Sequence, residues 1–424
     1  VLKTMVTPGT VDTRASMAWL RRFARTTPGV LCLIAILVAM SCVVTGVVGG
    51  GQLDGRIAER DNVLDRAEPL AFAAQNLYAA LSAADAAAAS AFLSGGTETS
   101  DMRDRYKQAL ASASSALADV TAGAGDTATR TAAAEISVQL TAYAGLVESA
   151  RANNRQGYPV GSAYLREASA LMQNSLLPNA EKIYTDKLAA LDADQRAVGA
   201  VPVTTLVLLA VVLALIVGSS VIAAARTNRI FNLGLVVSAG VVILVMVWVV
   251  AATSLARSAI EDSRTEGTAR FETLAKARIL AQQARTDETL QLIARGDITA
   301  GETAFTGHID DLTAHLSDGP VKTVDAVRKW MDSHRAHLDA YLGGDYPAAV
   351  TQAIGDGPDA SAAQFAAVES SLRDAIEDTR STLRDQVSTA GTFLSWSPTG
   401  TLVLMVVAGA AAVVGLWPRL KEFL

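Results

Sequence analysis

The chain has 424 residues, half of them hydrophobic, and a formal net charge of −6 at pH 7. Two Cys and four His exclude a Cys-rich zinc module or a disulfide framework. Four uncharged apolar runs, each long enough to cross a ~30 Å hydrocarbon layer, exclude an ordinary soluble enzyme.

In chain order, a basic leader (1–28, with Lys3, Arg14, Arg21, Arg22 and Arg25 against Asp12) precedes the first apolar run, 29–50. Segment 51–200 is acidic, with 13 basic and 18 acidic side chains. Apolar runs 201–225 and 230–254 flank a four-residue turn, Arg226-Thr227-Asn228-Arg229. Segment 255–398 holds 14 basic and 22 acidic side chains, and a last run, 399–417, leads to a tail, 418–424, with Arg419 and Lys421 against Glu422. Positive charge marks the cytoplasmic side of a membrane protein. The expected topology is therefore a multi-pass plasma-membrane protein with both termini and the turn inside and both large segments outside. Trp396 and Trp417 bracket the fourth run as interfacial aromatics do. The first run is too long for a cleaved signal and reads as a retained anchor.

The four runs contain no Asp, Glu, Lys, Arg or His, which argues against transport, because ion and proton handling needs such groups at membrane depth. Small residues recur at every fourth position, in Gly46/Gly50, Ala210/Ala214/Gly218, Gly234/Ser238 and Ala408/Ala412, a spacing that lets helix backbones approach.

Each large segment reads as four helices divided by Gly and Pro breakers. The first divides at about 52–93, 101–121, 127–152 and 160–198. The second divides at about 255–295, 301–316, 321–342 and 357–395, with an extra turn at 351–354. Phe365, Val368, Leu372, Ile376, Thr379, Leu383 and Val387 form a buried stripe at helical spacing. Gln156-Gly157-Tyr158-Pro159 and Gly344-Asp345-Tyr346-Pro347, which share Tyr-Pro and each lie between a third and a fourth helix, suggest duplication. Pro69 and Pro178 sit within long helices and are hinge candidates, since each removes an intrahelical hydrogen bond. The expected fold is an all-α membrane protein in which four transmembrane helices carry two tandem extracytoplasmic four-helix-bundle domains. The two apolar-striped stalks are expected to pack on each other within one chain.

No phosphate-binding Gly loop, nucleophile elbow or metalloprotease helix motif occurs, so the reading assigns no catalytic residue, no cofactor and no metal. Acidic ectodomains also argue against nucleic-acid partners. The short cytoplasmic segments lead to the expectation that a separate protein takes up any signal. His308 and His315 fall on one helix of the second segment and His334 and His337 on the next; they are expected in solvent or at the core edge, with a metal or pH-sensing cluster between these neighbouring helices as the alternative. The distal loops are the expected partner-binding tips, with Arg155 and Tyr158 in the first segment and Arg295, Asp345 and Tyr346 in the second.

The tandem arrangement resembles bacterial chemoreceptor sensor domains without their cytoplasmic signalling rod. The segments Ala84-Asp85-Ala86-Ala87-Ala88-Ala89-Ser90-Ala91-Phe92-Leu93-Ser94-Gly95-Gly96 and Gly161-Ser162-Ala163-Tyr164-Leu165-Arg166 are similar to stretches of the actinobacterial GlnX family of membrane proteins. The resemblance covers the whole chain in layout and transfers no ligand residue. It implies a relay in which a GlnH-like solute-binding lipoprotein senses Asp or Glu outside. The relay would then reach a cytoplasmic PknG-like Ser/Thr kinase. The leading expectation is thus a non-enzymatic transmembrane relay. The alternatives are a direct small-molecule receptor and a structural or transporter-accessory envelope protein.

Overall fold

The computed structural model describes residues 26–95, 98–227, 232–294 and 296–421. The basic leader before residue 26, residues 228–231 of the turn region, Arg295 and the last three residues lie outside that description. Every regular element described is helical. They are α1 (Thr27–Asn62), α2 (Glu68–Leu93), α3 (Ser100–Gly123), α4 (Thr127–Arg155), α5 (Val160–Leu171), α6 (Leu177–Gly199) and α7 (Val203–Thr227). There follow α8 (Leu233–Asp262), α9 (Ala269–Ala294), α10 (Thr299–His315), α11 (Val321–Leu342), α12 (Tyr346–Ile354), α13 (Ser361–Leu394) and α14 (Ser397–Lys421). Helix starts follow local chemistry: Thr99 and Asp126 cap α3 and α4 by accepting from Met102 N and Thr129 N.

The chain divides into two compact units. The first comprises Val1–Ala58, Val198–Ser258 and Thr389–Leu424 and contains four apolar stretches long enough to cross a membrane. Small residues let these helices approach. A Cβ on Gly234 would lie 2.3 Å from the Gly415 Cα, and one on Gly50 would lie 3.1 Å from the Pro398 carbonyl. Ala408 and Ala412 are fully buried. Ala210, Ala214 and Gly218, in contrast, are exposed in this chain, so that expected packing stripe makes no such contact. Polar side chains bond between helices: Gln52 Oε1 accepts from Thr205 Oγ1 at 2.6 Å, and Trp248 Nε1 donates to Ser397 Oγ at 3.3 Å.

The second unit comprises Glu59–Ala197 and Ala259–Ser388. The expected stripe on α13 is buried at every position except Phe365, which is half-buried. Two local expectations need correction. The extra turn is a nine-residue helix, α12, and α13 begins at Ser361 rather than 357. Asp345 caps α12 through Ala348 N and Pro347 lies in its first turn, so this tripeptide does not open the fourth long helix, whereas Tyr158-Pro159 leads directly into α5.

Among the described residues, three π-helical turns interrupt the long helices, at Val63–Ala67, Met172–Leu176 and Ser263–Thr268. Proline accounts for two of them. The Glu68 amide bonds the Val63 carbonyl, and the next amide along would be that of Pro69, which has none. The Leu64 carbonyl is thereby freed, and it accepts from Arg384 Nη1 at 3.3 Å. The same pattern precedes Pro178, where the Leu177 amide bonds Met172 O. The third turn contains Gly267, where a Cβ would lie 2.8 Å from the Leu383 Cβ.

The two halves of this unit are fastened by a polar seam. Glu68, 3% exposed, pairs with Arg380 and with Arg384 Nη1 at 2.7 Å, both from the other half. Arg278 Nη1 donates to Gln75 Oε1 and Asn76 Oδ1 at 3.1 Å while its Nε bonds Glu369 at 2.8 Å. Gln195 bridges Ser263 Oγ (3.1 Å) and Thr268 Oγ1 (2.8 Å) on the third π turn.

Removing Glu68 takes the carboxylate from two guanidinium groups, those of Arg380 and Arg384. Glu68→Ala is expected to cost about 2–3 kcal/mol, the range for a charge-assisted buried bond, and the half-exposed Arg384→Ala about 1 kcal/mol. The pair should show coupling of at least about 0.5 kcal/mol in a double-mutant cycle read by denaturant unfolding.

Candidate functional site: two buried carboxylate clusters

Each half of the second unit buries a carboxylate on its first 26-residue helix, Asp85 on α2 and Glu288 on α9. An isolated ionised carboxylate is costly in a low-dielectric interior, so the partners decide what each can do.

Asp85, 2% exposed, has neutral donors. Ser169 Oγ donates to its Oδ2 at 2.8 Å, Gln173 Nε2 to the same oxygen at 3.2 Å, and Tyr143 Oη to Oδ1 at 3.2 Å. Gln173 lies in the π turn ahead of Pro178. Burial pushes the Asp85 carboxyl above the ordinary carboxylate range, and the three hydrogen bonds oppose this only in part.

Glu288, fully buried, has charged partners. Its Oε2 accepts from Arg285 Nη1 at 2.5 Å and from Trp330 Nε1 at 3.4 Å. Its Oε1 accepts from Ser361 Oγ at 2.5 Å and faces His334 Nδ1 at 3.0 Å. His334 Nε2 lies 3.0 Å from Glu302 Oε2 on α10, and Phe305 stacks on the ring at 3.6 Å. His337, one helical turn on, stands edge-on to His334 at 4.7 Å with its Nδ1 3.6 Å from Glu288 Oε1. Neither nitrogen of His337 has a hydrogen-bond partner, and the residue is fully buried.

Burial would raise the Glu288 pKa, but the Arg285 charge and the histidines outweigh it and hold the carboxyl at about 2. Burial lowers the imidazolium pKa of both histidines. At His334 the two carboxylates prevail and raise it, whereas at His337 burial wins and lowers it to about 4.

The structure thus corrects the placement of two histidines. His334 and His337 are interior, not at the solvated edge, because α11 presents its i,i+3 pair to α9. His308 instead pairs with Asp287 at 2.8 Å, and the exposed His315 bonds the Asp311 carbonyl. The i,i+3 spacing was the available sequence signal, but Glu288 is 46 residues away on another helix.

The tip residues are separate from both clusters. Arg155 ends α4 and is exposed, and Tyr158 is 56% exposed in the following loop. Asp345 caps α12, and Tyr346 Oη donates to the Leu292 carbonyl at 3.0 Å, so both serve local structure. Arg295 lies outside the described residues. Between the halves runs a cleft of about 920 Å³, lined by Arg66, Phe72, Arg105, Arg278, Arg373 and Arg380 among others.

With this geometry in place, comparison with known proteins adds one finding. Residues 59–196 match the family model described as an actinobacterial sensor domain. The matched span begins and ends within a residue of the first half, Glu59–Ala197. No curated protein and no solved structure matches the chain.

The raised Asp85 pKa has a definite sign. The folded state holds the proton to higher pH than the unfolded chain, whose carboxylate titrates near about 3.9. Its contribution to stability is therefore complete below that value and is lost as pH rises through the raised native pKa. Asp85→Asn removes this dependence, so the melting temperature of the variant relative to the parent should increase from pH 5 to pH 8. A difference that is flat or falls with pH would contradict the assignment.

Proposed function

We propose that the chain is a non-enzymatic transmembrane relay that reports extracytoplasmic amino-acid availability. The observation that carries this reading is the sensor-domain match at 59–196, on a chain that also has four helices apolar and long enough to cross a membrane. In this reading both large segments are tandem extracytoplasmic helical bundles, and both termini face the cytoplasm of a multi-pass plasma-membrane protein, as the charge distribution favours. A solute-binding lipoprotein of the GlnH type, loaded with Asp or Glu, would dock outside. A cytoplasmic Ser/Thr kinase of the PknG type would receive the signal directly or through an intermediary. The physical support for coupling is the seam: a change imposed on the matched half strains Glu68, Gln75 and Gln195, whose partners lie in the other half. The prolines at 69 and 178 follow π turns, a feature frequent at functional sites in helices.

A second reading, direct reception of a small anionic solute, is favoured by the cleft between the halves, whose lining holds five arginines against the three carboxylates of Asp65, Asp119 and Glu369. The readings separate in one experiment. The full chain in lipid nanodiscs is titrated calorimetrically with aspartate and glutamate, alone and with a GlnH-type solute-binding protein. The relay predicts no heat from the amino acids alone and saturable binding of the loaded protein. Direct amino-acid binding abolished by Arg278→Ala and Arg373→Ala would replace it with the receptor. No binding in either arm would contradict both.

A further inference from the structure

We propose that Glu288, His334 and His337 form a site for a divalent transition-metal ion of the zinc class, buried in the second half of the helical unit. One ligand atom from each lies within 4.8 Å of the others, and all three residues are buried. Bonds of about 2.0–2.2 Å from a tetrahedral ion to nitrogen and oxygen place neighbouring ligands roughly 3.3–3.6 Å apart. The distances of 3.0 Å from His334 Nδ1 and 3.6 Å from His337 Nδ1 to Glu288 Oε1 bracket that edge.

The second observation is independent of the clustering. His337 has two buried nitrogens and no partner for either, whereas a buried polar group left unpaired costs about 1–3 kcal/mol. A purely structural cluster accounts for His334, between Glu288 and Glu302, but leaves both nitrogens of His337 without a hydrogen bond. An ion gives the His337 lone pair an acceptor.

The surroundings suit ligation. Glu302 faces the far nitrogen of His334 at 3.0 Å, the carboxylate–histidine arrangement that fixes which nitrogen is free for metal. Arg285 and Trp330 occupy Oε2 of Glu288, while Oε1, which also accepts from Ser361 Oγ at 2.5 Å, is the oxygen that faces the histidines. Stacking on Phe305 holds the His334 ring plane. Two imidazoles with one carboxylate favour zinc-like ions over calcium or magnesium, which take oxygen donors. Glu302, whose side chain is 31% exposed, marks the solvent side of the cluster.

The test uses the full chain in nanodiscs, stripped with a chelator and titrated with Co2+. The expected result is one equivalent bound, with the visible d–d bands of a low-coordinate site that Zn2+ then bleaches. His337→Ala should weaken Co2+ binding by at least about 100-fold and Glu302→Gln by about 10- to 100-fold, while His308→Ala leaves it unchanged. Zn2+ should also raise the melting temperature of the parent and not of His337→Ala. Because the parent titration needs no variant to fold, absent bands together with no Zn2+-dependent melting shift would overturn the site. So would binding that survives His337→Ala, which would place the ion elsewhere.

Discussion

A carboxylate taken out of water must be paired, and Glu68 meets this requirement only across the seam. Both of its ion pairs, to Arg380 and Arg384, come from the other half of the helical unit, and Arg384 also takes the carbonyl that Pro69 strips of its donor. Separating the halves would leave a nearly buried anion and a freed carbonyl without their partners. Arg278 repeats the logic with Gln75 and Asn76, and Gln195 with the third π turn. Across this seam the two halves form one compact unit.

That seam was only partly legible in the sequence. Helix number and breaks followed from Gly and Pro punctuation and from 3.6-residue stripes, because both are local signals. The α13 stripe is buried where its spacing placed it, apart from half-buried Phe365. What failed was non-local. The capping chemistry of Asp345 and Pro347 looked like the start of a fourth long helix, but it opens α12, a helix that no periodicity distinguished from a loop. Ala210, Ala214 and Gly218 had packing spacing yet face outward, since spacing defines a face without saying what covers it.

The buried clusters show the same limit more sharply. Composition placed Asp85 in an alanine-rich run and Glu288 in an ordinary charged helix. What distinguishes them is the donors that three separate elements bring to each, namely Tyr143, Ser169 and Gln173 for one, and Arg285, His334 and Ser361 for the other. Neutral donors leave Asp85 poised toward the protonated form, while cationic ones keep Glu288 ionised. Two halves of similar layout thus carry cores of different charge. The matched half and its neighbour are therefore not interchangeable copies, since one buries a carboxylate among neutral donors and the other among charged ones.

The claim that the halves form a single cooperative unit is tested most directly by hydrogen exchange followed by mass spectrometry on the full chain in nanodiscs. The account predicts that the slowest amides of α2 and α9 open together, with the same free energy and the same shift when Glu68 is replaced by Ala. Loss of protection in one helix while the other stays protected would show two independent domains and would contradict it.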